Sequence, residues 1–278
     1  MSSAVFLAVL MAALLHASWN AVVRTGASKM TSMLMVSAGD GLIGLAVVAT
    51  RPLPGLEIWP WLVASGLIRT GYLLFLTNAY EHGDLSRVYP IARGAAPMMV
   101  LVVGAFVLSD QITATQLTGI LALGAGILLM AHGVFANGES RRLVPFALGS
   151  ATATAGYSLV DGIGARLSGD PIAFVGWALF LTALFFTPVS LGLRGTVILR
   201  ASPKAWGMGA IAAAASYLAY SIAVWAMTQA PIALVTALRE TSILFAVLIG
   251  WLFFGERMDR GKGLAAVLIV GGVVLTRL

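Results

Sequence analysis

Apolar residues run through this chain in blocks of about twenty, each cut off by charge, glycine or proline before the next begins. A helix of roughly 20 apolar residues rises about 30 Å and spans the hydrocarbon core of a bilayer. The blocks predict ten helices, at Ala4–Arg24, Thr31–Thr50, Ile58–Tyr80, Val88–Leu108, Ala114–Val134, Leu143–Ala165, Pro171–Leu193, Ala205–Thr228, Ile232–Phe254 and Gly263–Leu278. The connections are short, the longest being Phe135–Arg142 and Arg194–Lys204. Trp59, Trp61 and Trp206 fall at predicted helix starts, where an interfacial aromatic belt is expected.

Composition removes the soluble alternative. Charged residues make up 10% of the 278 positions and hydrophobic ones 59%, against about 25% and 45–50% in a soluble domain. A water-soluble globule would have too few charges to cover its surface. The net charge of +6 raises the question of nucleic acid, but the basic residues sit singly or in pairs in short connections, so no nucleic-acid partner is expected. The absence of cysteine excludes disulfides, thiolate metal sites and cysteine nucleophiles. Met1–His16 lacks a basic leader and its apolar run continues past Trp19, so it is expected to be a retained first helix.

Connections after the odd-numbered helices hold eleven Lys and Arg: Arg24, Lys29, Arg87, Arg141, Arg142, Arg194, Arg200, Lys204, Arg257, Arg260 and Lys262. The other side holds Arg51, Arg166 and Arg277. The positive-inside rule then places the odd connections in the cytoplasm and both termini outside.

A shift of 146 residues brings Ala92-Arg93 onto Leu238-Arg239, Gly104 onto Gly250, Asp110 onto Glu256, Gly126 onto Gly272 and Leu129 onto Leu275. The coincidence is chemical: an intramembrane arginine, an acid at a helix end, then a glycine-containing helix. Five helices per repeat is an odd number, so the second copy enters the membrane inverted. The expected fold is therefore an all-α integral membrane protein of ten transmembrane helices built as two inverted five-helix repeats, residues 1–134 and 143–278, joined by residues 135–142.

With Ala96-Pro97, Val107-Leu108-Ser109-Asp110 and Gly119 in the first copy, and Gly250, Phe253-Phe254-Gly255-Glu256 and Gly261 to Gly272 in the second, the chain resembles the drug/metabolite transporter superfamily in its ten-helix EamA-like branch. The first copy has Asp110 where the family customarily has Glu. The resemblance implies a five-plus-five carrier working by alternating access, with a cavity lined chiefly by helices 1, 3, 4, 6, 8 and 9. It also implies cytoplasmic termini in some members, opposite to the charge count.

Ionisable residues deep in membrane helices cost at least about 2.5–3.5 kcal/mol and so face a cavity or a partner. His16, Asn20 and Arg24 recur at four-residue spacing with Trp19 beside them, forming a polar stripe that either lines a cavity or bonds a neighbouring helix. Thr154, Tyr157 or Ser158, and Asp161 share one face of helix 6. Arg69, with Tyr72 and Tyr80 along helix 3, needs a counter-charge from substrate or from a protein acid. Arg69, Arg93 and Arg239 stand against Asp40, Asp161 and Glu240. Internal pairing leaves a near-neutral cavity suited to a zwitterion, whereas substrate in place of one acid suits an organic anion. The substrate-binding candidates are His16, Trp19, Asn20, Arg69, Tyr72, Tyr157, Asp161 and Glu240; Arg93, Arg239 and Asp40 are gating or ion-pair candidates. Glu240 is the candidate proton carrier. Asp110 and Glu256 are expected to hold turns to neighbouring helices, and Tyr217, Tyr220 and Trp225 either line the cavity or pack.

No phosphate loop or metal-spaced histidine pair is present, and His16, His82 and His132 lie on separate segments. No cofactor, metal or enzyme activity is expected. The expectation is a secondary transporter of a small polar metabolite in the inner membrane, with protons as candidate coupling ion and lipid as surroundings. The alternative is a membrane-embedded enzyme acting on a lipid-linked substrate.

Overall fold

In hydrocarbon every backbone N–H and C=O needs a partner within the protein, which leaves helices as the spanning element for apolar blocks of this length. The computed structural model describes residues 1–24, 28–82, 85–136, 142–254 and 260–278. These form α1 (Ser3–Arg24), α2 (Lys29–Val48), α3 (Trp59–His82), α4 (Leu85–Val107), α5 (Ala114–Ala136), α6 (Leu143–Ser168), α7 (Pro171–Arg194), α8 (Pro203–Gln229), α9 (Ile232–Arg239), α10 (Ser242–Phe254) and α11 (Arg260–Arg277), with a 3-10 turn at Thr196–Leu199. Among the described residues there is no strand, and seven spans are long and apolar enough to cross a membrane, Ile232–Leu252 counting as one. Three further apolar stretches, Arg93–Val107, Ala114–Leu129 and Gly263–Arg277, are shorter. The chain is a multi-pass α-helical membrane protein. Arg141, Gly255, Glu256 and Arg257 lie outside the described residues, and the side chains of Arg24, Tyr80, His82, Arg87, Pro90, Ala92, His132, Arg260 and Lys262 lie outside them too.

Helix boundaries follow local chemistry. Ser28 and Ser202 cap α2 and α8 through their hydroxyls, Asp170 caps α7, and Pro171 and Pro203 occupy first-turn positions whose N–H would have no helical partner. Gly169 ends α6 at φ 69°, a left-handed conformation that costs glycine nothing. The predicted ninth helix is interrupted. Around Glu240 and Thr241 the backbone switches to three-residue hydrogen bonds, Glu240 to Ala237 and Thr241 to Leu238, while the Thr241 hydroxyl also donates to the Leu238 carbonyl. A hydroxyl bonding its own helix in this way competes with the regular ladder.

The closest pairings are α5 with α11, α2 with α7, α3 with α6, α1 with α8 and α4 with α6. Apolar side chains such as Leu42, Phe106, Ile211 and Val267 remain largely exposed, which suits a lipid-facing surface. Small residues allow the closest approach. A Cβ at Gly119 would stand 2.8 Å from the Gly272 carbonyl oxygen, and one at Gly272 would stand 2.7 Å from that of Gly119.

Ion pairs tie the helix ends. Arg166 donates to Asp110 (2.7 and 3.2 Å) and to the carbonyls of Met227 and Ala230, while Asp110 accepts the Ile232 amide that opens α9. Asp110 thus ties its own connection, between α4 and α5, to α6 and to the start of α9. Arg51 meets Asp170 across the α2 and α6 ends, and Arg277 bonds Met1 and Ser3. Arg194 meets Glu81 where α7 and α3 end. Each contact joins ends that an alternating ten-crossing path places on one side.

Two outcomes test these constraints. Gly119→Val should destabilise the α5–α11 contact by about 1–3 kcal/mol, seen as a lower Tm in detergent. Burial opposes ionisation of Asp170, but the Ala173 amide, the Arg51 guanidinium and the Ile172 amide outweigh it and hold the carboxyl below its ordinary value. Its contribution to stability is thus complete above the unfolded value of about 3.9 and lost as pH falls through the lowered one. Below pH 4 the Tm of the parent chain should fall more steeply than that of Asp170→Asn.

Candidate functional site

Helices α1–α4 and α6–α9 bring polar groups to the middle of the molecule. Arg69 comes from α3, and its Nε and Nη2 each donate to Asp161 Oδ2 on α6 at 3.2 Å. The Tyr220 hydroxyl from α8 donates to the same oxygen at 2.6 Å. The guanidinium carbon of Arg69 lies 3.7 Å from the Tyr220 ring centroid and 4.4 Å from that of Tyr157. Cation–π attraction of this kind is strongest when water is excluded, and Arg69 is buried. Tyr72 packs edge-on against Tyr157, with centroids 5.5 Å apart.

A second pair lies beside the first. Arg93 on α4 grips Glu240 with two parallel bonds of 2.8 Å, at the break between α9 and α10. Arg93 Nη1 also stands 2.9 Å from His16 Nε2, and Trp19 Nε1 stands 3.3 Å from His16 Nδ1. A guanidinium cannot accept, so Nε2 is the acceptor in the shorter contact. Arg93 and Glu240 are almost fully buried. Their bidentate geometry compensates for desolvation that would otherwise cost several kcal/mol per ion.

The third acid behaves differently. Asp40 on α2 accepts the Ser216 hydroxyl at Oδ2 (3.0 Å), while its buried Oδ1 has no hydrogen-bond partner. Arg239, at the end of α9, faces the Tyr220 ring at 5.2 Å and forms no ion pair with a described acid.

These groups surround a cavity of about 60 Å³, room for a few waters. His16, Trp19, Asp40, Arg69, Tyr72, Tyr157, Ser216, Tyr220 and Arg239 are on its wall. Of the substrate-binding candidates, His16, Trp19, Arg69, Tyr72 and Tyr157 line it. Asp161 and Glu240 stand behind the wall as counter-charges, and Asn20 turns back to donate to the His16 carbonyl. Asp40 and Arg239, the expected ion-pair residues, line the cavity itself. Helices α2 and α7 contribute wall residues beyond the set implied by the resemblance, while α4 contributes none among the described residues. Sequence reasoning passed over Ser37, Thr182 and Ser216. Serine and threonine are common throughout such helices, and only the wall they share distinguishes these three. A larger hollow of about 340 Å³ beside the α4 end has mainly apolar walls, and its one acid, Asp110, is already bonded.

Residues 142–278 match the EamA-like transporter family. The second half of the chain is an EamA-like transporter domain, which supports the drug/metabolite transporter superfamily. Protein PecM of Dickeya dadantii (strain 3937) is 22% identical over 235 residues, 84% of this chain and 79% of that protein. A crystal structure of a protein 19% identical superimposes with a TM-score of 0.75, covering 99% of this chain and 96% of that one, and shares the fold. EamA-like proteins are membrane transporters rather than enzymes, so the lipid-modifying alternative is not favoured.

The Arg93–Glu240 pair yields a sharp test. Arg93→Met leaves an uncompensated acid in the protein interior and should cost about 3–5 kcal/mol, read as thermal unfolding in detergent. Adding Glu240→Leu to the same chain should recover most of the loss. If the double variant is no more stable than the single one, the pair is not the source of the effect.

Proposed function

We propose that this EamA-like protein is a secondary carrier that moves a small polar metabolite, an amino acid or an organic anion, across the inner membrane by alternating access, in export or exchange. The observation that carries the reading is the charged cavity enclosed between the two halves of the chain. Helices α1, α2 and α3 wall it from one side and α6, α7, α8 and α9 from the other. At about 60 Å³ it is far smaller than the roughly 300–1,000 Å³ of a ligand pocket, so solute enters only when the helices part.

The reading takes residues 1–134 and 143–278 as inverted modules. Counting α9 and α10 as one helix, exchanging each helix with the one five places on turns the α1·α8 contact into α6·α3, α3·α7 into α8·α2, and α4·α6 into α9–α10 against α1, all of which occur. The 146-residue shift also converts the Gly119–Gly272 approach into Gly126 against Ala265, and a Cβ on Gly126 would stand 2.9 Å from the Ala265 carbonyl oxygen. An inverted two-fold relation accounts for both coincidences. The broken helix at Glu240 supports a site there as well, since interrupted helices near the midplane characterise such carriers.

Orientation in this reading follows the positive-inside rule. Protons are the proposed coupling ion. A proton cycle at Glu240 has to open its pair with Arg93, so Glu240→Gln should flatten any pH dependence of transport; an unchanged profile removes Glu240 from that role.

Purified protein in liposomes should give saturable flux and counterflow for a member of a panel of amino acids and organic anions. Flux that is absent or rises without saturation across the panel overturns the carrier. Arg69→Met should lower flux at least tenfold while membrane insertion is retained, whereas equal loss of both would make Arg69 a packing element.

A further inference from the structure

We infer that the solute accepted by the cavity carries an anionic and a cationic group together, with Arg239 receiving the anion and Asp40 the cation. This rests on the carrier reading above and adds the class of solute to it.

The inference comes from matching charges to partners. Of the three buried arginines and three buried acids among the described residues, Arg69 is matched with Asp161, whose Oδ1 has no hydrogen-bond partner, and Arg93 with Glu240. Arg239 and Asp40 remain. Both line the same cavity, Arg239 from α9 and Asp40 from α2, so one belongs to each half of the chain. Arg239 is 5% exposed and Asp40 7%. Arg239 has the π-face of Tyr220 at 5.2 Å and no described carboxylate within pairing distance. Asp40 has the Ser216 hydroxyl on one oxygen and nothing on the other.

Groups left in this condition are costly. A buried guanidinium keeps its charge and five donors, and a buried carboxyl oxygen without a donor forfeits the hydrogen bonds it had in water. A simple anion would satisfy Arg239 and leave Asp40 with a like charge as neighbour. An amine alone would satisfy Asp40 and repel Arg239. A zwitterion answers both at once, its cationic end favouring the ionised carboxylate and its anionic end accepting from the guanidinium. An amino acid is the smallest common solute of this kind. Trp19, Tyr72 and Tyr157 on the same wall offer aromatic faces to the remainder of the solute.

The test uses the purified full-length chain in detergent, followed by thermal unfolding, with the twenty standard amino acids and, for each, its decarboxylated amine and its deaminated acid. At least one amino acid should raise the Tm, while its amine and its acid at equal concentration leave it unchanged. Asp40→Asn and Arg239→Met should each weaken that stabilisation at least tenfold in apparent affinity, with Asp40→Glu and Arg239→Lys retaining more of it. Should the variants fail to fold, the comparison of parent ligand and analogues on the unaltered chain decides alone. The inference is overturned if an acid or amine stabilises as well as its parent, if no amino acid stabilises, or if Asp40→Asn binds as the parent chain does. Saturable liposome flux of a simple anion with none of any amino acid also overturns it and leaves the carrier intact. Loss of all saturable flux, with amino-acid stabilisation retained, overturns the carrier instead.

Discussion

A guanidinium inside a bilayer cannot shed its proton, and the cost of its charge has to be met by whatever surrounds it. Among the described residues three such groups are buried in the molecule, and polar side chains are arranged around them. Arg69 is answered by Asp161 together with two tyrosine rings, and Arg93 by both oxygens of Glu240. Each pair crosses between the halves of the chain. The charges that would forbid membrane insertion of an isolated helix thereby become the contacts that hold the halves together.

The ninth helix breaks at the residue that Arg93 grips. Continuous α-helix through Arg239, Glu240 and Thr241 would fix these side chains about 100° apart around one axis. The tightened turn at Glu240 accompanies its grip by Arg93 from α4, while Arg239 reaches the cavity shared with Tyr220. One interruption thus separates a paired charge from an unpaired one.

At the ends of the helices the balance is different. Asp110 and Arg166 join α4, α6, α8 and α9 through five hydrogen bonds whose donors and acceptors water could also serve. Partly exposed contacts of this kind exchange with solvent at modest cost, whereas opening a central pair strands two buried charges. The cavity that the central groups surround is small, about 60 Å³.

Much of the membrane architecture was legible in the chain alone, because bilayer thickness and the period of the helix act on consecutive residues. The apolar blocks, with starts at Thr31, Pro171 and Ala205, and the stripe of His16 and Asn20 needed no knowledge of neighbours. The identity of the buried charges was legible too, since an arginine in an apolar block stands out from its surroundings. Their assignments were not. Asp161 lies 92 positions from Arg69 and Glu240 lies 147 from Arg93, and nothing in a helical period relates residues so far apart. Sequence named six candidates and left every pairing open; packing of α3 on α6 and of α4 on α9 chose two pairs and left Asp40 and Arg239 facing the cavity. Local periodicity determines which residues must be rescued from lipid, and only the tertiary structure decides by what.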